Sequence, residues 1–220
     1  MIRLRGTSLI YHDHERTVYA CRDIDLTVAP GEFIGILGPS GSGKSSLLYL
    51  MCGLKVPTYG EVEYKGVALH DMGQVERDDL RLREFGFVFQ YPYLVGYLTA
   101  LENVLLARPD LSLADEALEL LERLDVADLA GRLPHELSGG ERQRVCVARA
   151  MLGGSCAIFA DEPTASLDHE SGLHVMQLLS DCRGEGALVV VTHDPSMLEK
   201  ADRVVTINDG ALVEPTPSSS

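Results

Sequence analysis

The segment Glu32–Leu54, EFIGILGPSGSGKSSLLYLMCGL, limits the possible folds more than any other part of the chain. Its first residues, Glu32–Gly38, are apolar on both faces, as in a strand buried within a parallel sheet. Ser45–Leu54 then reads as a helix stopped by a glycine. Between them Gly38, Pro39, Ser40, Gly41, Ser42, Gly43, Lys44 and Ser45 spell GxxxxGK[ST]. In that strand-to-helix context the glycines let backbone N–H groups wrap phosphates, Lys44 adds a point charge at the β- and γ-phosphates, and the Ser45 hydroxyl suits Mg²⁺. A plain glycine turn entering a helix is the simpler alternative.

The rest of the chain repeats this alternation. FGFVFQ, CAIFAD (Cys156–Asp161), ALVVVT (Ala187–Thr192) and RVVTI (Arg203–Ile207) read as strands. Ala100–Ala107, Leu113–Leu124, Arg142–Leu152 and Glu170–Cys182 carry helical spacing. Such alternation predicts an α/β fold around a mainly parallel sheet. The opening differs: Arg3–Tyr11 and Val18–Val28 read as antiparallel strands joined by the polar turn HDHER. Residues 1–214 fit one domain, and the tail PTPSSS (215–220) is expected to be disordered.

Composition narrows the function. With 19 basic and 33 acidic residues the formal charge is −14, which argues against a nucleic-acid partner. Five scattered cysteines without a CxxC read as buried thiols in a reducing compartment. No apolar run reaches the roughly 18 residues a membrane span needs, and the first residues lack a signal-peptide core. A cytoplasmic protein is expected, with any membrane role coming through a partner.

Two further motifs carry chemistry. CAIFADEP is an apolar strand ending in two acids. Beside a phosphate loop, Asp161 would support a Mg²⁺ shell and Glu162 could polarise a water aimed at the γ-phosphate; alone, the pair would read as solvated strand-end acids. LSGGERQRV (Leu137–Val145) leads a serine and two glycines into a helix, with Ser138 as N-cap and Glu141 three residues on. That is a capped helix start, and such N-termini attract anions.

The phosphate loop, the Asp-Glu strand end and LSGGE together resemble the ATP-binding-cassette (ABC) ATPases over nearly the whole chain. LSGGE discriminates, since a phosphate loop alone fits kinases and GTPases as well. The resemblance implies a P-loop NTPase fold: a core sheet, an N-terminal antiparallel β subdomain, and a helical signature subdomain inserted at about residues 91–152. It implies ATP with Mg²⁺, and a head-to-tail dimer, of two copies or with a related cassette. There Ser138, Gly139 and Gly140 bind the γ-phosphate of ATP held on the other subunit's loop. Tyr11 matches the aromatic that stacks on adenine, with a strand-core role as the alternative. Gln90 matches the glutamine that contacts Mg²⁺ and the attacking water, and Asp168 matches a loop crossing the dimer interface. His193 matches the histidine that contacts the γ-phosphate, and Ser46 keeps the hydroxyl that contacts the α-phosphate.

Within the family, FGFVFQ, LTALENV, LSGGERQRV, ADEPTASLD and VVVTHD most resemble the lipoprotein-releasing, macrolide-efflux and cell-division group. There the ATPase lies on the inner face of the cell membrane, bound to a permease. The chain departs from that group at Ala165-Ser166, usually Gly-Asn, at Ser46, usually threonine, and in a shorter Gln90–Ser138 segment. YPYLVGYLTALENV reads either as helical-subdomain core or as a docking surface. A non-transport mechanical or scaffold role is the alternative function; those relatives carry long coiled-coil insertions or paired cassettes.

Overall fold

A computed structural model describes residues 1–13, 16–108 and 111–213. Two sheets form its frame. β1 (Ile2–Asp13) pairs antiparallel with β2 (Arg16–Val28) on one side and with β4 (Tyr59–Tyr64) on the other. The short β5 (Val67–Ala68) completes a four-stranded sheet in the order β2-β1-β4-β5. The second sheet contains β3 (Phe33–Leu37), β6 (Phe85–Val88), β7 (Ala157–Asp161), β8 (Ala187–Thr192), β9 (Arg203–Asn208) and β10 (Ala211–Val213). Its order is β10-β9-β3-β8-β7-β6, parallel throughout except for the antiparallel β9–β10 edge.

The core strands are apolar on both faces because both faces are covered. Ile34 and Ile36 of β3 join the cluster with the antiparallel sheet and helix α1 (Lys44–Met51), whereas Phe33 points the other way. β7 alternates likewise, with Phe159 on the first side and Ile158 and Ala160 on the second. The second face packs against α3 (Ala100–Leu105), α4 (Ala114–Arg123), α5 (Gly139–Met151) and α6 (His169–Cys182) in one continuous cluster. Leu37 pairs with Thr192, and Asp161 with Val191. The C-terminal ends of β3, β7 and β8 therefore lie side by side, at the edge where parallel α/β sheets gather their ligands.

The structure extends the sequence reading in several places. α5 begins at Gly139, not Arg142, because Ser138 already caps it: Ser138 Oγ accepts from Glu141 N at 3.3 Å, and Glu141 Oε2 accepts from Ser138 N at 2.6 Å. A further helix, α2 (Gln74–Glu84), buries no residue and carries its own ion pair, Arg83–Asp79 at 2.8 Å. Only Cys21, Cys52 and Cys146 are buried, with thiols pushed up by burial to about 12, 12 and 11; Cys156 and Cys182 are half-buried. His14 of the first turn and the tail lie outside the described residues.

Candidate nucleotide site

The phosphate loop owes its shape to two close approaches. Gly43 holds φ at 104°, and a Cβ there would stand 2.1 Å from the carbonyl oxygen of Ala20 on β2. A Cβ on Gly38 would stand 2.4 Å from the carbonyl oxygen of Ile207 on β9. Only glycine lets the loop thread between these strands. Lys44, at the start of α1, is buried, and its Nζ donates to the carbonyls of Gly38 at 2.7 Å and Pro39 at 3.0 Å. Ser42 Oγ is buried without a hydrogen-bond partner.

A cavity of about 520 Å³ opens over this loop. Ser40, Gly41, Gly43, Lys44, Ser45 and Ser46 form its floor, Val18, Tyr19 and Ala20 of β2 one wall, and Gln90, Glu162 and His193 another. Asp161, at the end of β7, is 3% exposed and accepts from Ser45 Oγ at 3.0 Å and from the Tyr49 hydroxyl at 3.2 Å. Burial raises its pKa, and these two donors pull against the rise. Burial and the Asp161 charge push the Tyr49 hydroxyl up to about 12.

Glu162 follows at φ 46°, and its N–H donates to Val191 O at 2.9 Å. Its carboxylate is gripped from β8 and the residue after it. Thr192 Oγ1 donates to Oε2 at 3.0 Å, and His193 Nδ1 lies 2.9 Å from Oε1. With Glu162 ionised, that contact requires the hydrogen on Nδ1.

Among the described residues no group of three or more His, Cys, Asp and Glu could hold a metal. One carboxylate beside one hydroxyl, Asp161 and Ser45, nevertheless fits Mg²⁺, which keeps its waters and takes most other ligands from substrate phosphates.

The structure thus brings together the loop, Asp161, Gln90, Glu162 and His193. Three other parts of the sequence reading stand outside the cavity. Tyr11 faces Val18 across the β1–β2 ladder, with Lys55 Nζ 5.7 Å from its ring centroid, and does not itself line the cavity. Ser138, Gly139 and Gly140 sit at the start of α5 against Ser166 and Leu167 of the same chain. Asp168 caps α6, accepting from Ser171 N at 3.0 Å and Ser171 Oγ at 2.6 Å, bonds that hold its carboxyl below the usual range.

Thr192, Tyr49 and Gln143 escaped the sequence reading. Gln143 of α5 is fully buried and donates from Nε2 to Phe89 O at 3.1 Å, tying the signature helix to the residue before Gln90.

A parallel sheet that delivers a phosphate loop and an Asp-Glu pair to one edge defines a nucleotide-hydrolysing P-loop protein. The family model described as "ABC transporter" matches residues 21–165. The chain is 40% identical to the uncharacterized ABC transporter ATP-binding protein MJ1508 of Methanocaldococcus jannaschii, covering 97% of this chain and 98% of that one. It is 39% identical to the lipoprotein-releasing system ATP-binding protein LolD of Shewanella oneidensis (98% and 96%). It is 41% identical to the macrolide export ATP-binding/permease protein MacB of Rhodopseudomonas palustris (96% and 33%), so it spans only a third of that relative's length. Its fold matches the ATP-binding cassette MJ0796, solved as a post-hydrolysis dimer with ADP and Pi, at a TM-score of 0.92, 35% identity and 97% coverage of both chains. The chain belongs to the ABC transporter family and is an ABC-type ATPase.

Proposed function

We propose that this chain is the ATP-hydrolysing subunit of a membrane transporter or force-transmitting complex, working as a head-to-tail pair beneath a permease. Lys44 and the loop N–H groups hold the triphosphate, and Ser46 reaches its α-phosphate. Ser45, Asp161 and Gln90 hold Mg²⁺, which neutralises charge on the β- and γ-phosphates. Glu162 orients and polarises the attacking water, His193 contacts the γ-phosphate, and Tyr11 stacks on adenine. Tyr11 reaches the nucleotide from beside Val18, which does line the cavity.

One observation carries the paired reading. The capped N-terminus at Ser138–Gly140 has the form of an anion site, yet it takes no part in its own chain's cavity. A second copy turned through a two-fold axis would present it to the first copy's ATP, with Asp168 at the interface, completing two sites at once. The dimeric state of MJ0796, and the export and lipoprotein-release names of MacB and LolD, support this arrangement and a permease partner. Such a partner would hold the chain peripherally on the inner face of the cell membrane.

Glu162→Gln tests the reading. It should keep ATP affinity, lose phosphate release by roughly 10²–10⁴-fold, and run as a dimer in light scattering with Mg-ATP but as a monomer with ADP. Adding Ser138→Arg should abolish the dimer and leave ATP bound. A double variant that still dimerises would remove Ser138–Gly140 from the second site.

A further inference from the structure

Ser45 and Tyr49 stand four residues apart on α1, one helical turn, so their side chains share a face. Both reach the same carboxylate. Ser45 Oγ donates to Asp161 Oδ1 at 3.0 Å, and the Tyr49 hydroxyl donates to Oδ2 at 3.2 Å. One helix thereby grips both oxygens of an almost fully buried acid at the end of β7. The Tyr49 ring is steadied on its other side: it meets Phe89 edge-on, with centroids 6.5 Å apart and planes at 61°. Phe89 is itself tied to α5 through Gln143.

From this we infer that Tyr49 is a positioning residue for the metal: its hydroxyl fixes the rotation of the Asp161 carboxylate, so that Oδ1 stays beside the Ser45 hydroxyl where Mg²⁺ is to be held. The inference rests on the reading of Asp161 and Ser45 as the metal's protein partners. A carboxylate anchored at one oxygen alone can swing about its Cβ–Cγ bond. Anchored at both, it keeps one orientation before the metal arrives, and metal affinity depends on such supporting hydrogen bonds.

Tyr49→Phe removes one hydroxyl and keeps the ring against Phe89. The probe is Mn²⁺ titrated into the ADP-bound protein and followed by electron paramagnetic resonance. Mn²⁺ binding should weaken by roughly 10- to 100-fold, and the Mg²⁺ needed for half-maximal ATPase activity should rise by a similar factor. ADP affinity measured in EDTA should not move. An unchanged Mn²⁺ affinity would overturn the inference. So would a metal-free ADP affinity that falls as far as the metal's, because Tyr49 would then be merely structural. Asp161→Asn separates this inference from the reading beneath it. If that variant loses Mn²⁺ while Tyr49→Phe does not, only Tyr49 has been misassigned. If neither loses it, the metal site itself is elsewhere.

Discussion

Glu141 illustrates how one residue does two jobs at the same helix end. Its carboxylate accepts from the backbone N–H of Ser138, which lowers its pKa, and in return its own N–H is capped by Ser138 Oγ. The same back-reach recurs at Glu102, onto Thr99 N at 2.7 Å, and at Glu136, onto Leu133 N at 2.8 Å. A carboxylate whose folded pKa is depressed adds stability above its ordinary value of 4.5, and that stability is lost as pH falls through the folded value. Glu141→Gln can still accept the bond but carries no charge. The variant should therefore melt below the wild type at pH 7, and the gap should close on acidification past the ordinary value. A gap that stays constant, or widens in acid, would show that the charge contributes nothing.

At the scale of elements, the tight crossing of the phosphate loop with β2 is the place to test. Gly41 and Gly43 both sit at positive φ, but a Cβ on Gly41 meets nothing within 4 Å, whereas one on Gly43 meets Ala20 O at 2.1 Å. Gly41→Ala should cost only the left-handed strain, about 1–2 kcal/mol. Gly43→Ala should cost about 3 kcal/mol or more, because backbone must move as well. Urea melts decide it, and equal losses would mean the loop is free of β2. This scale also divides what the sequence made legible from what it did not. β3, β7 and β8 are apolar on both faces, and their motifs are contiguous, so strand, loop and acids could be read in place. α2 and β5 could not: α2 buries nothing, and β5 is two residues long, so neither leaves an apolar period. β4 buries only Val62 and Tyr64 of its six residues, too short an alternation to stand out. Thr192, Tyr49 and Gln143 act on partners 30, 112 and 54 residues away, and only the fold brings those together. Tyr49 left a faint signal in its four-residue spacing from Ser45.

Across the whole molecule, no helix among the described residues is long and apolar enough to cross a membrane. Under the proposed function, a permease docks on an exposed face of this chain. The segment after Gln90 exposes Tyr91 at 68% and Tyr97 at 83%, beyond what its own packing uses. The segment divides between its two readings: Ala100 and Val104 are buried in the helical-side core with Leu94 and Leu101 packed against it, and the exposed Tyr91 and Tyr97 are what the proposed function would use for docking. Replacing both by serine should leave the melting temperature and nucleotide affinity unchanged and should release the chain from its membrane partner on co-purification. A loss of stability instead would assign the pair to the helical core.

Glu162 is one of the side-chain-bearing residues held at positive φ, a conformation that costs such a residue about 1–2 kcal/mol relative to glycine. Two selections would therefore pull this codon in opposite directions. A library sorted by heat resistance alone should enrich glycine or asparagine at 162, yielding sturdy proteins that, under the proposed function, hydrolyse ATP far more slowly. A library sorted by turnover should retain glutamate and carry the strain. Under the proposed function, the side chain that polarises the attacking water thus sits at a strained backbone position, and breeding for hardiness would discard it among the first.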